Sequence, residues 1–551
     1  MRPGRDAATL PEPEANRRRK RGVTSTTPKQ EREYRTQRRP GLRRAEAGPA
    51  TGNKGLKKDA LGFASNVVIG VASVAPAYSL AATLGFIVAV AGVGVHAPAV
   101  LLASFVPMLL IAVAYRYLNR ADPDCGTSFA WTTRALGPHL GWINGWTIFV
   151  SDVIVMASLS VIAAQYTYLL FGWQGGAHST TWILVGATAW IALMTSICFR
   201  GIELSARTQQ VLLTTEIVVL AAFAVVALIK AYTSPTAASL HVQASWFNPL
   251  AISFTALTDG VLLGLFIYWG WDTGVTVNEE SKDATEGPGR AAVLSTLLLV
   301  LVYVSVAAAA QAYAGTGFLT RNSNDVLSAM GSRVFGSPWD KLLILAVLTS
   351  AAASTQTTIL PTARTTLSMA RWGARPEIFG RIHPRYLTPA FSTVAMGAIS
   401  IVWTLVIVSL DPAQNVLGDT ITALGFLIAF YYGCTGLAAA IYFRHELGRS
   451  VKKLVLAGIV PLIGFGVMAA VFVKAFRDFG TPGYNYSSPV LGIELPILVG
   501  IGALLLSIPL LVLVMIALPR FFKRRPYIEA APAGALDGLA TADTVAPEDD
   551  S

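Results

Sequence analysis

The chain is short of the residues that carry covalent, redox or metal chemistry. Its three cysteines in 551 residues, Cys125, Cys198 and Cys434, lie far apart, with no Cys-x-x-Cys and no histidine at ligand spacing. That pattern excludes a disulfide framework and a zinc site, and no metal or cofactor is expected. Charge is scarce as well: 14% of residues are Asp, Glu, Lys or Arg, against about 25% in soluble globular proteins. An ordinary cytosolic enzyme is therefore not expected. The charge present is unevenly placed, since residues 1–59 hold 17 Lys/Arg and 7 Asp/Glu whereas the remainder holds 26 and 25. The basic excess thus belongs to a terminal segment rather than to a folded surface, which argues against a nucleic-acid partner. That segment has no apolar run before Leu61 and does not read as a cleavable signal. It is expected to be a basic cytoplasmic tail over 1–59.

Apolar residues make up 53% of the chain, and the mean hydropathy is +0.53. A bilayer core of about 30 Å takes roughly 20 apolar residues of helix. Twelve such stretches are read at 61–90, 97–118, 140–170, 181–199, 208–230, 255–277, 291–314, 341–369, 389–410, 420–443, 454–475 and 494–518. With the N-terminus inside, inner loops and C-terminal tail carry 20 Lys/Arg and outer loops 6. The positive-inside rule then puts both termini in the cytoplasm, in a multi-pass protein of the cell membrane surrounded by lipid.

Two spans contain residues that helices avoid. Span 1 reads IGVASVAPAYSLA, with Gly70 and Pro76 near its middle, and span 6 reads GLFIYWGWDTGV, with Gly264, Gly270 and Gly274. Proline removes a backbone donor and glycine lowers the cost of leaving helical geometry. Backbone freed at that depth must line protein or a cavity, because lipid cannot hydrogen-bond it. Spans 1 and 6 correspond if spans 1–5 and 6–10 are inverted halves, the pattern that points to a central transport site.

Three segments carry a family resemblance. After span 2 comes PDCGTSFAWTTRALGPHLGWINGW, span 6 continues as GWDTGVTVNEESKD, and after span 8 comes RTTLSMARWGARPEIFGRIHPRYLTP. Together they resemble the amino acid-polyamine-organocation (APC) permeases, from about residue 61 to 443. The resemblance implies an all-α membrane protein with a leucine-transporter-like 5+5 inverted repeat plus two helices. It further implies a mobile bundle of helices 1, 2, 6 and 7, a scaffold around 3, 4, 8 and 9, and alternating access for amino acids or related amines. The organisation expected is a tail over 1–59, a ten-helix core over 60–443, helices 11 and 12 over 444–519 and a cytoplasmic tail over 520–551.

Span 1 departs from the family's commonest pattern of two glycines flanking a small residue, since Ala72, Ser73, Val74, Ala75 and Pro76 stand there. Backbone N–H groups at an interrupted helix bind anions, so the Gly70 to Pro76 stretch is expected to receive a substrate carboxylate. Trp269, Gly270, Trp271 and Asp272 at the span 6 break are the other candidate contacts, with the two tryptophans able to stack on an ammonium; packing is the alternative for both.

Three carboxylates fall deep within spans: Asp152, about 15 Å along helix 3, Glu216, about 13 Å along helix 5, and Asp272 in the span 6 break. Charge at bilayer centre is costly, so such residues face a cavity, pair, or are protonated. Asp152 either attracts a substrate ammonium or is satisfied by hydroxyls such as Ser158 and water. Asp272 is either a gating or substrate contact, or a structural hydrogen-bond partner of helix 7 or 10. In the run SARTQQVLLTTE, Glu216 stands where the family's helix 5 has a lysine linked to proton coupling. The resemblance then implies a protonation switch at Glu216; a sodium site with Ser354 or Thr355, and a structurally satisfied carboxylate, are the alternatives. Glu279, Glu280, Lys282 and Arg364 to Arg371 read as an inner gate or loop cluster. Proton coupling is the leading reading, with exchange, sodium coupling and, from a different class, a channel as rivals. No enzyme motif is present.

Overall fold

The computed structural model describes residues 54–323, 325–410, 415–481, 489, 490, 492–523 and 536. The body that contains them is helical; among the described residues no sheet forms, and the β contacts are isolated bridges, Leu61 with Ser281 and Val490 with Ile493. Most of the expected tail, residues 1–53, and most of 520–551 lie outside the described residues. Lys54 and Leu56, in the last part of the expected 1–59 tail, are buried.

Eleven helices among the described residues are long and apolar enough to cross a membrane. They coincide with eleven of the twelve expected spans. The remaining one, span 6, is represented by a 14-residue helix and a four-residue turn of helix with irregular backbone between them. In chain order the helices that matter are α1 (Phe63–Ser73), α2 (Pro76–Ala89), α3 (Ala97–Ala121), α4 (Ser128–Leu136), α5 (Pro138–Leu170), α6 (Thr180–Arg200) and α7 (Ile202–Thr233). They continue with α8 (Phe254–Ile267), α9 (Thr273–Thr276), α10 (Gly287–Ala314), α11 (Lys341–Arg371), α12 (Ala390–Leu410), α13 (Asn415–Tyr442), α14 (Val460–Phe479) and α15 (Leu495–Ala517).

Span 1 breaks at Val74 and Ala75. Pro76 has no N–H and disfavours helical geometry in the residue before it, and Ala75 takes a left-handed conformation, φ 52° and ψ 65°. Its own N–H turns back to the Ala72 carbonyl at 3.2 Å, and Pro76 opens α2. Proline alone does not suffice, since Pro107, Pro361 and Pro509 sit inside unbroken helices. Span 6 breaks over Tyr268 to Asp272, around Gly270 at φ 117°. A Cβ there would lie 2.8 Å from the Ser73 carbonyl oxygen, so the two breaks touch through a glycine. Gly70, Gly264 and Gly274 are helical instead: they admit the Ser295 hydroxyl, the Ser104 hydroxyl and the Asn66 carbonyl to close range.

Helix association in lipid rests on close packing and interhelical hydrogen bonds, which favours small and hydroxyl-bearing residues. The middle of α11 follows this rule, with Ala351, Ala352, Ala353, Ser354 and Thr355 all buried and the helix packed on α5, α7 and α1. Helix α7 shows how the sequence orients a span. Positions seven apart share a face, so Gln209, Glu216 and Phe223 are buried while Val211, Val218 and Val225 are exposed. An exposed valine stripe suits lipid, and it forces the one buried carboxylate of α7 towards the bundle.

Candidate functional site

The facing breaks line a small cavity. Its walls include Ser73, Val74 and Ala75 from the first break, Trp269, Gly270 and Asp272 from the second, Asp152 from α5 and Ser354 from α11. These eight were candidates from sequence. Gly70, Ala72, Pro76, Trp271, Glu216 and Thr355 were candidates too, and they lie outside its lining. Gly70 packs under the Trp271 carbonyl. Trp271 is fully buried, stacked on Tyr432 with ring centroids 5.4 Å apart and met edge-on by Tyr115 at 5.1 Å. The lining that sequence did not single out comes mainly from Tyr78, Ser79, Thr357, Thr358, Pro361 and Tyr431; a tyrosine pair in the apolar stretch 420–443 was the one signal available.

Asp272 accepts hydrogen bonds from three tyrosine hydroxyls: Tyr432 at 2.9 Å, and Tyr115 and Tyr431 at 3.4 Å each. Among the described residues its side-chain partners therefore come from α13, the tenth span, and α3, and none from α10, the seventh. Asp152 accepts from Thr362 of α11 at 2.5 Å; Ser158 is not its partner, donating instead to the Val155 carbonyl and receiving the Tyr78 hydroxyl. The Trp269 indole N–H donates to Tyr431 Oη at 2.5 Å, which ties the second break to α13.

Glu216 is fully buried behind the first break. Its Oε1 accepts the backbone N–H of Ala77 at 2.6 Å, and among the described residues its Oε2 has no hydrogen-bond partner. The first turn of a helix has unpaired donors and the positive end of the helix dipole, so this carboxylate caps α2 from another helix. The adjacent Tyr78 N–H donates to Ser350 Oγ at 3.1 Å, and that serine also faces the Glu216 carboxyl. Ser354 and Thr355, the expected companions of Glu216, are engaged elsewhere: Ser354 donates to the Ser73 carbonyl at 2.9 Å and Thr355 to the Ala351 carbonyl at 2.8 Å. A second polar cluster on the same face of α7 joins Gln209 to the Ala353 carbonyl and to Gln356.

At one end of the bundle the two broken spans are tied together and sealed. The N–H groups of Ala60 and Leu61 both donate to the Glu280 carbonyl, and Lys282 donates back to the Leu61 carbonyl. Lys54 reaches Asp124 Oδ1 at 3.0 Å and also pairs with Glu279. Asp124 in turn accepts from Ser368 at 2.6 Å and Trp372 at 3.1 Å. Asp124, Cys125 and Glu279 are the one trio of metal-capable side chains close enough to share an ion among the described residues, and the Lys54 ammonium supplies the cation there. Burial by itself would lower the Lys54 pKa, but the facing Asp124 and Glu279 carboxylates outweigh it and hold it above the ordinary lysine value. Burial pushes Asp124 up, and the Lys54 ammonium, the Ser368 hydroxyl and the Gly126 amide more than offset this, leaving it below the usual carboxylate range. Arg364 grips Glu280 through Nε and Nη2, both at 2.6 Å, with neither side chain exposed beyond 2%.

Comparison with known proteins fits this geometry. The profile of the family described as "Amino acid permease" matches residues 59–522. The chain is 22% identical over 380 residues to the low-affinity putrescine importer PlaP of Escherichia coli, an alignment covering 69% of this chain and 81% of the importer. It is 25% identical over 380 residues to the branched-chain amino acid permease BcaP of Lactococcus lactis, covering 64% and 77%. It is 26% identical over 356 residues to an uncharacterized transporter of Mycobacterium tuberculosis, covering 64% and 73%. With the profile spanning most of the chain, all its long helices included, this multi-pass membrane protein belongs to the amino acid permease family and is a transporter of amino acids or amines, not an enzyme.

Proposed function

We propose that the protein is a secondary active carrier of amino acids or related amines in the cell membrane, with both termini cytoplasmic, working by alternating access and driven by protons. The observation that supports this reading is the pair of facing helix breaks around one cavity, with a dense ion-pair seal at the Lys54 end of the broken spans. A carrier needs a site exposed to one side at a time, and broken helices give it hinges at the depth of the site. The sealed end is the one the positive-inside rule assigns to the cytoplasm, so the Lys54 cluster is read as the inner gate, closed.

Glu216 is the coupling residue in this reading. Ionised, it makes a charge-assisted hydrogen bond to the N-terminus of α2, worth roughly twice a neutral one. Protonated, it loses that advantage, and α2 is freer to move against α7. The proton therefore shifts the balance between two arrangements of the first span, as differential affinity for two states requires.

The test is reconstitution into liposomes, with uptake measured under an inward proton gradient, an inward sodium gradient, and neither. Accumulation with the proton gradient alone is the expected result. Accumulation driven by sodium, or saturable flux with no accumulation under either gradient, overturns the proton-driven reading.

A further inference from the structure

Several cations at the Lys54 end of the bundle have an acid to hold: Arg120 pairs with Glu286, Arg134 with Asp122 and Arg364 with Glu280. Arg375, in the connection 372–389 between α11 and α12, differs from them. It is half-buried, and among the described residues no carboxylate faces its guanidinium: burial pulls its pKa down to about 10 with no opposing charge to offset it. It is therefore an uncompensated cation at neutral pH. What holds it is aromatic. The guanidinium carbon lies 4.6 Å from the ring centre of Phe149 on α5 and 5.5 Å from that of Phe379. Rings of this kind take the flat face of a guanidinium. Its N–H donors lie around the edge, in the plane, where a ring face offers no acceptor.

The position is built rather than incidental. The residue before it, Ala374, is buried, and its carbonyl accepts the Trp142 indole N–H of α5 at 3.1 Å. The residue after it is Pro376, whose ring fixes the backbone at φ −55°. Phe379 in turn meets Phe391 of α12 edge-on, with ring centroids 4.9 Å apart. Beyond this aromatic support the surface is apolar: Ile378, Phe391 and Val394 are exposed. On a multi-pass membrane protein, apolar side chains exposed at the end of a span lie against lipid. Arg375 is four residues past the end of span α11 and fifteen before the start of α12, so its charge stands at the depth of the headgroups.

We infer that Arg375 anchors a binding site for an anionic phospholipid, the edge of its guanidinium donating to the lipid phosphate and the acyl chains lying along the exposed apolar side chains of α12. A half-buried charge without a partner is costly, and a phosphate meets a guanidinium edge with two parallel charge-assisted hydrogen bonds. An anionic lipid brings the net negative charge that this cation lacks, whereas the ammonium of a zwitterionic lipid cancels its own phosphate. The lipid then bridges α5 and the connection 372–389 through the one side chain that touches both. The inference needs the membrane and this geometry, and it stands apart from the carrier reading.

The test titrates the full-length protein in dodecyl maltoside with phosphatidylglycerol, phosphatidylcholine or inorganic phosphate, counting bound lipid by native mass spectrometry and following the melting temperature. Phosphatidylglycerol is expected to bind more tightly than phosphatidylcholine. Arg375→Gln is expected to weaken its tightest site about fivefold, the usual effect of one basic side chain at an anionic lipid. Arg385→Gln, at an exposed arginine that lies over its own neighbour Tyr386, is the control and should bind as the parent does. Equal affinity for phosphatidylglycerol in the parent and in Arg375→Gln overturns the inference, as does equal affinity of the parent for the two lipids. Inorganic phosphate that raises the melting temperature as much as phosphatidylglycerol, through Arg375, marks a free-anion site and overturns the lipid assignment. On the unaltered protein in liposomes, phosphatidylglycerol bearing a diazirine beside its headgroup should label peptides from residues 374–391. Absence of label there overturns the site even if a variant fails to fold.

Discussion

The Glu216 carboxylate, midway along α7, accepts a 2.6 Å hydrogen bond from the N–H of Ala77, the second residue of α2. A side chain 139 residues distant in sequence thereby caps a helix whose own N-cap residue, Ala75, offers no side-chain acceptor. Glu216→Gln retains an oxygen for this bond and removes the charge. It is expected to fold, to lose proton-driven accumulation and to keep counterflow of substrate. Glu216→Ala removes the cap and should cost on the order of 1 kcal/mol or more in stability, read by thermal denaturation in detergent. Normal accumulation by Glu216→Gln would make the residue a cap and nothing else.

Gly270 holds the second break against the first. At φ 117°, and with the Ser73 carbonyl oxygen 2.8 Å from where a Cβ would stand, alanine must both strain the backbone and push the breaks apart. Gly270→Ala should lose about 1–3 kcal/mol and at least tenfold in uptake rate. Gly466→Ala on α14, where a Cβ meets open space, is the control and should match the parent in both melting temperature and uptake.

The Lys54 seal is expected to be charged throughout the physiological range. Asp124 is depressed, so its contribution is present above its unfolded value near 3.9 and is lost as pH falls through the still lower folded value. Lys54 is raised, so its contribution is present below about 10.4 and is lost only as pH rises through its higher folded value. Lys54→Met should therefore leave the pH midpoint of transport between 5 and 8 where it was. It should instead open the sealed end, measured as faster maleimide labelling of Cys125, a thiol buried beside Glu279 in the intact protein. Labelling as slow as in the parent would show that Lys54 does not hold this end shut.

Arg364 and Glu280 form a fully buried two-point ion pair. Removing one partner leaves an uncompensated charge, which typically costs 3–5 kcal/mol, whereas replacing both is far milder. Arg364→Met is expected to destabilise by about that amount, and Arg364→Met with Glu280→Gln to recover most of it. A denaturation series on the two single variants and the double variant measures the coupling directly.

Much of this architecture was written locally. Apolar runs of bilayer length placed eleven long helices within a few residues of their observed ends, and Pro76 and Gly270 marked breaks that the structure contains. The valine stripe of α7 already turned Glu216 inward, because helical periodicity is a property of the segment alone. Other features depended on partners the segment does not contain. Gly70, Gly264 and Gly274 looked like further breaks, yet they serve close approach of neighbouring helices, and only the neighbour distinguishes the two uses.

The sequence by itself determined that this is a membrane protein of broken helices with acids at mid-span, since hydropathy, proline and glycine act within a few turns. The tertiary structure alone decided what those acids do. Helix rotation and register brought Tyr115, Tyr431 and Tyr432 onto Asp272, Thr362 onto Asp152 and Ala77 onto Glu216, joining segments 139 to 210 residues apart. Whether a backbone amide at a break is open or already bound depends on such contacts, as the Ala77 N–H on Glu216 shows.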